Sequence, residues 1–310
     1  MNLRYCSYPA KHLPALANRT RNTTLPIMKP ITFVILLLVC ASSLFAQSVV
    51  GGRIVAMGGY GAALSWDPAA IYANPATANS DGSMQLEFFA TDTTATFPES
   101  WGIVVRRPSD SEAMSAGLMY MRRMIKPDTS EIRSSQILFA LTDKLYGLPI
   151  GGAAKVVWEQ RYPGGKWVSG LGLDFGFLFS LGSIRLGGAA KNVVGMKTLS
   201  ETGRYEVGAA YKISTLLLTS GAASRNLYTA AMVDQMKKNW GYGLDWSVSD
   251  HASARIGRYM QGGRHGESYG AALATSDNGI IVGYAVRRFK DTPDNWTHWL
   301  TYTYTATGIN

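Results

Sequence analysis

The chain has few charged residues, and only two cysteines. Asp, Glu, Lys and Arg make up 16% of the 310 residues, whereas an average soluble protein has about 25%. So few charges do not suit an ordinary water-exposed surface. Cys6 and Cys40 both lie in the first 46 residues, which we predict are absent from the mature protein. The remaining chain therefore has no residue for a disulfide, a thiol nucleophile or a cysteine metal site.

The chain also lacks the run of about 18 apolar residues that a transmembrane helix needs. A shorter apolar run, Ile31–Ala41, follows Met28 and Lys29 and precedes small residues ending at Ala46, which is typical of a signal peptide. We predict an upstream mis-start at 1–27, a signal peptide at 28–46 and cleavage after Ala46. Five basic residues and no acidic ones precede this cut, so the net charge falls from +9 to +4. This charge gives no argument for a nucleic-acid partner.

Residues 83–310 alternate between apolar and small or polar residues with a period of two. In 240–249, one face carries Trp240, Tyr242, Leu244, Trp246 and Val248, and the other carries only Gly, Asp and Ser. A strand exposes alternate residues on opposite faces, so such an apolar face needs lipid or a core to cover it. No predicted helices are available to form that core. The pattern predicts an all-β fold, a transmembrane antiparallel β-barrel of about 14 strands.

The predicted connections alternate between long and short, as in outer-membrane barrels. The short ones include Ser214, and the long ones include Ala223–Asn239 and Gln261–Gly266. Within the longest, Asn226–Lys238 has weak helical spacing and is either a short helix or a surface loop. Two of the predicted strands, 113–122 and 215–222, alternate poorly.

The segment before the barrel has a different pattern, without alternation. Gly58 and Gly59 tolerate positive φ, and Asp67-Pro68 is typical of an N-cap followed by the first helical residue. A short helical turn over Ala69–Tyr72 must end near Ala73, because Pro75 excludes Asn74 from the α region. We predict that residues 47–82 form a plug inside the barrel.

Met57-Gly58-Gly59, Asp67-Pro68 and Asn74-Pro75-Ala76 together resemble the N-terminal motif of the FadL/PorV-like superfamily of bacterial outer-membrane β-barrels. Trp66 and Thr77 depart from its usual Asp and Gly. The resemblance implies a barrel in the outer membrane of a Gram-negative bacterium, with membrane lipid around it. It implies one of two functions. FadL-like members take up small hydrophobic compounds such as fatty acids, and PorV/PorQ-type members bind proteins of type IX secretion.

The sequence offers no catalytic constellation. His251, His265 and His298 are not spaced as metal ligands, no nucleophile elbow or phosphate-binding loop is present, and we predict neither a metal, a cofactor nor an enzyme. Charged residues of both signs occupy inward positions of the strands. They form either a polar translocation path or, as we favour, ion pairs that hold the plug. The candidates are Glu87, Arg185, Arg204, Glu206, Asp245 and Arg255.

Overall fold

The fold is described from a computed structural model. It describes residues 51–59, 61–64, 67–79, 83–93, 99–107, 109, 114–125, 132–160, 164–194, 203–214, 226–234, 239–275, 279–292 and 296–306. The predicted mis-start at 1–27, the signal peptide at 28–46 and the cleavage site after Ala46 lie outside these ranges.

Strands make up most of the described chain. Fourteen occur within the described ranges, and all but the eight-residue β7 have the nine or more residues with which a tilted strand crosses a bilayer. They are β1 (Met84–Thr93), β2 (Glu99–Arg107), β3 (Ser115–Ile125), β4 (Ile132–Leu145), β5 (Leu148–Gln160), β6 (Trp167–Leu181), β7 (Ile184–Lys191), β8 (Arg204–Ser214), β9 (Asn226–Asp234), β10 (Asn239–Ser249), β11 (Ala252–Gln261), β12 (Arg264–Ala274), β13 (Ile280–Phe289) and β14 (Thr297–Ala306).

The strands form one closed antiparallel barrel in which each strand pairs with the next along the chain. The barrel closes where β1 pairs with β14, in a register that places Met84 opposite Ala306 and Thr93 opposite Thr297. Closure gives every strand two hydrogen-bonded neighbours, as a β-structure surrounded by lipid requires. The predicted transmembrane antiparallel β-barrel of about 14 strands is therefore confirmed.

The outer face of the barrel is apolar. Leu171 and Phe175 on β6 are 56% and 51% exposed, while the intervening Asp174 is 1% exposed. Phe88, Leu118, Phe139, Leu244 and Tyr302 likewise point outward from five other strands. A continuous belt of exposed apolar side chains is unfavourable in water and suits lipid.

Three short helices precede the strands and lie inside the barrel: α1 (Gly52–Ala56), α2 (Ala70–Ala73) and a 3₁₀ helix (Pro75–Ala78). Ile54, Val55, Ile71 and Ala76 within them are almost completely buried. We call residues 51–79 the plug, meaning its described part. No helix in the described ranges has the length and hydropathy needed to span a membrane.

Three predicted connections are wrong. The chain from Asn226 to Asp234 is strand β9, paired with β8 and β10, and not a helix or a loop. The connection after Ser214 is therefore not short, and the connection before Asn239 spans only 235–238. A long connection, Gln261–Gly266, was predicted between β11 and β12, but only Gly262 and Gly263 join these strands. Their positive φ angles of 61° and 84° permit a two-residue turn. The predicted strand at 215–222 lies outside the described residues.

Candidate functional site: the plug and the inner face of the wall

The first part of the plug fits against the strands at the C-terminal end of the chain. α1 packs against β11–β14, and the Ser268 hydroxyl donates a hydrogen bond of 3.1 Å to the carbonyl of Ala56. A methyl group at Gly270 would lie 2.6 Å from Cβ of Ala56, and one at Gly243 would lie 2.6 Å from Cα of Met57. Wall glycines thus let the plug backbone approach the strands more closely than any side chain would allow.

The motif glycines of the plug have the predicted backbone geometry. Gly58 and Gly59 have φ angles of 97° and 87°, which L-residues with a side chain rarely adopt. They follow α1 directly and turn the chain, and the amide of Gly59 donates to the carbonyl of Ile54 at 2.8 Å.

Asp67 organises the turn before α2. Its Oδ1 accepts a hydrogen bond from the amide of Ala69 at 2.9 Å, and its carbonyl accepts one from the amide of Ala70 at 3.0 Å. The N-cap of α2 is Ala69 itself, so the helix begins two residues later than an Asp67 cap would place it. Pro68 lies in the intervening turn, where the Asp67 side chain fixes the backbone.

The Asp67 carboxyl lies in a buried, highly charged environment. The Arg106 guanidinium donates to the carbonyl of Asp67 at 3.4 Å and to that of Thr77 at 3.3 Å. Glu87 on β1 lies close enough to the Asp67 carboxyl for the two charges to interact, and it accepts a hydrogen bond of 3.4 Å from the Thr303 hydroxyl. Burial raises the pKa of the Asp67 carboxyl, while the charges of Arg53, Arg106 and Arg255 act to lower it.

Asn74 joins two parts of the plug to the wall. Its backbone is extended, with φ −147° and ψ 113°, as the following Pro75 requires, and its Oδ1 accepts from the amide of Ala76 at 3.0 Å. Its Nδ2 donates to the carbonyl of Ala62 at 2.7 Å and to that of Phe177 on β6 at 2.8 Å. One buried amide thus satisfies three backbone groups that water cannot reach.

The 3₁₀ helix that begins at Pro75 is held by β4 and β5. The Thr142 hydroxyl donates to the carbonyl of Pro75 at 2.7 Å. Gly151 faces the backbone of Pro75 and Ala76, and a Cβ there would overlap it. Ala76 is completely buried in this contact.

The predicted lumen charges form two separate groups of ion pairs. Asp245 on β10 contacts Arg53 of the plug at 2.5 Å and Arg255 of β11 at 3.2 Å, so it joins plug and wall. Arg204 and Glu206 pair with each other on β8 at 2.8 Å. Glu87 lies with Asp67, as described above, and Arg185 on β7 is partly exposed. The structure does not bring all six together.

A third charged group surrounds Tyr72. The Lys191 ammonium lies 3.8 Å from the centre of the Tyr72 ring and also donates to its carbonyl. Lys155 pairs with Asp174 at 2.9 Å and lies 6.0 Å from the same ring. These cation–π contacts attach α2 to β5 and β7.

A feature that the sequence-based site prediction missed is an apolar area on the inner face of β1–β5, which we call the apolar wall. Its side chains occupy the inward-facing alternate positions of the strands, as the buried charged residues do, and are between 0% and 1% exposed. All of these side chains except Val157 form one apolar cluster with Ile71 and Tyr72 of the plug. The weak alternation of 113–122 was the signal, because a strand that is apolar on both faces loses its period of two. The apolar wall consists of Phe89, Val104, Met119, Met121, Leu138 and Val157.

The described side chains of the lumen provide binding surfaces. Among the described residues, no three His, Cys, Asp or Glu side chains lie together in positions to hold a metal ion. What the lumen offers is an apolar surface beside a charged one, with the plug in contact with both.

No family model matches the chain, and none of the curated proteins matches it. Solved structures do match. The Ralstonia pickettii toluene transporter TbuX is 13% identical with a TM-score of 0.57, over 84% of this chain and 98% of that one. A Pseudomonas aeruginosa FadL homologue is 10% identical with a TM-score of 0.51, over 84% of this chain and 99% of that one. At these identities the likeness shows the fold alone, a β-barrel of the kind that these two proteins form.

Proposed function

We propose that this protein is an outer-membrane channel for the passive uptake of small hydrophobic compounds such as fatty acids. The observation that supports this most is the apolar wall. The inner face of an ordinary barrel is polar because it meets water. Apolar surface removed from water lowers the free energy by about 25 cal/mol per Å², so Phe89, Met119 and Leu138 would favour an apolar solute over a polar one.

The plug would act as the gate of this channel. Ile71 and Tyr72 contact the apolar wall, and a methyl group at Gly117 would lie 2.9 Å from Cδ1 of Ile71. A solute that reaches the apolar wall therefore meets the plug, and passage requires the plug to shift. The similarity in fold to a toluene transporter supports the same class of solute.

An outer-membrane location requires export, for which we propose the signal peptide at 28–46 and cleavage after Ala46. N-terminal sequencing of the membrane-bound protein is expected to begin at Gln47 or Ser48. A mature protein that retains 28–46, or one found in the cytosol, would contradict this location.

The function is tested by deleting the gene and measuring growth and uptake on hydrophobic carbon sources. We expect slower uptake of a long-chain fatty acid or an aromatic hydrocarbon, restored by the wild-type gene. Met119→Asn, which makes the apolar wall polar, is expected to restore uptake poorly, whereas the matched control Met119→Leu is expected to restore it. Equal amounts of folded barrel in the membrane are checked for each variant.

Type IX secretion, the other function that the motif resemblance implies, gives the opposite outcome. In that case the deletion strain takes up hydrophobic compounds normally but loses secreted proteins from the medium. That result would overturn the proposed uptake function and leave the barrel fold unaffected.

A further inference from the structure

One buried amide interrupts the apolar inner face of β1–β5. The strand registers place Phe89, Gly102, Met121, Gln136 and Val157 side by side across the five strands. All five point inward, and the Phe89 ring covers Gly102, where a methyl group would lie 2.5 Å from Cζ. Gln136 is the one polar side chain in this row.

The Gln136 amide has no hydrogen-bond partner among the described residues, at either its nitrogen or its oxygen. The side chain is only 1% exposed, and its neighbours across the strands are Met121 and Val157, which have no polar group to offer it. A buried polar group without a partner is costly. Met would fill a similar volume here without that cost, as Met121 does on the adjacent strand.

The rows on either side of Gln136 define its chemical surroundings. The row nearer the plug contains Met119, Leu138 and Lys155, whose ammonium pairs with Asp174, and the row farther from it contains Arg123, Ser134 and Glu159. Gln136 thus lies in an apolar row between two rows that each contain a charged side chain. An amide offers one acceptor and two donor hydrogens without a net charge, so it suits a neutral polar group better than an ion.

We propose that Gln136 binds the hydroxyl or carbonyl group of an otherwise hydrophobic, uncharged solute whose apolar part lies against Phe89, Met121 and Val157. This inference rests on the proposed uptake function and refines it, because it predicts that phenols, alcohols and ketones bind better than hydrocarbons of the same size. The solute supplies the partner that the amide lacks among the described residues.

The test compares p-cresol with p-xylene, which differ by a hydroxyl in place of a methyl group. Calorimetric titration of the purified full-length barrel in one detergent gives the ratio of the two affinities, and partition into the micelles is common to all variants. We expect Gln136→Met to lower the preference for p-cresol about fivefold, the factor that corresponds to one net hydrogen bond. The control Gln160→Met makes the same change at a glutamine of β5 outside the apolar wall, whose amide donates to the carbonyl of Gly165 at 2.9 Å, and is expected to keep the wild-type ratio.

Stability provides a readout that does not depend on any ligand. Because the Gln136 amide has no hydrogen-bond partner among the described residues, Gln136→Met is expected to raise the urea midpoint of unfolding relative to the wild type. A lower midpoint would show that Gln136 already has a partner and would overturn the inference. Binding of both compounds with a ratio that Gln136→Met leaves unchanged would overturn it too, with the uptake function intact. Binding of neither compound would contradict both.

Discussion

In the wall, every strand pairs with two neighbours along most of its length, whereas the plug has no strand and is held by side chains and close backbone approaches. Asn74 of the plug donates to the carbonyl of Phe177 on β6, while Asp245 on β10 and Lys191 on β7 bind the plug from the wall. The wall glycines Gly151, Gly243 and Gly270 give it room. The wall depends on a closed ladder and a lipid-facing surface, so the two parts are expected to fail separately, under different substitutions.

Deletion of 52–79 is expected to have the largest effect among the changes that distinguish the wall from the plug. We expect the wall to fold without the plug, and the conductance of single barrels in planar bilayers to rise from a closed level to that of an open pore. The shift in gel mobility between heated and unheated samples reports whether the wall has folded. A folded deletion variant that is as impermeable as the parent would show that 52–79 is not a plug.

Phe175→Arg is expected to damage the wall and spare the plug. Phe175 lies near the middle of β6 and faces outward, where Arg costs about 2–4 kcal/mol at the bilayer midplane. Folding into lipid vesicles against urea measures this cost. Ser180→Arg, on the inward side of the same strand near its end, is the control and is expected to cost less. Equal losses would contradict the assignment of the two faces.

Gly151→Ala is expected to have the reverse effect, loosening the plug and sparing the wall. The added methyl group overlaps the backbone of Pro75 and Ala76, and overpacking of this kind costs about 1–3 kcal/mol. Its matched control is Gly152→Ala on the next residue, where the nearest atom lies 4.0 Å away. Single-channel recordings are expected to show more frequent openings for Gly151→Ala alone. Identical recordings for the two variants would contradict the claim that a methyl group at position 151 displaces the plug.

The smallest expected effect is a dependence of plug binding on pH. The raised pKa of Asp67 means that the docked plug holds a proton more tightly than the released plug does. The stabilisation is therefore complete below the ordinary pKa of aspartate and is lost as the pH rises through the raised value. Leak conductance should increase from acid to neutral pH, and Asp67→Asn should abolish this increase. A pH-independent wild type would contradict the prediction. The charges of Arg53, Arg106 and Arg255 act against this rise in the pKa.

The sequence predicts the barrel well because its strongest signal, the period of two, arises from the same alternation of lipid and lumen that the fold imposes. Its failures have physical causes. In β9, Leu227, Tyr228, Ala230, Ala231, Met232 and Val233 are apolar on both faces, so strand alternation and helical spacing cannot be distinguished. The predicted lengths of the connections on either side of β9, after Ser214 and before Asn239, were wrong for the same reason.

Within the candidate site, the motif residues were predictable because proline, glycine and Asx side chains determine local backbone geometry. The partners of those residues were not. Nothing in the sequence places Asn74 beside Phe177, or Asp67 beside Arg106, because register and barrel closure decide these contacts. The apolar wall was missed because strands with apolar residues on both faces show no period of two in hydrophobicity. Gln136 is recognised as unusual only once its neighbours across the strands are known.

The pairing of β1 with β14 has a consequence for the order of assembly. The two strands that close the barrel come from opposite ends of the wall, and forming a contact between such distant segments carries a large loss of chain entropy. α1, which precedes β1 by fewer than thirty residues, packs on β11–β14. Once docked there, the plug tethers β1 close to its last partner, so the segment that blocks the finished lumen also shortens the search that completes it.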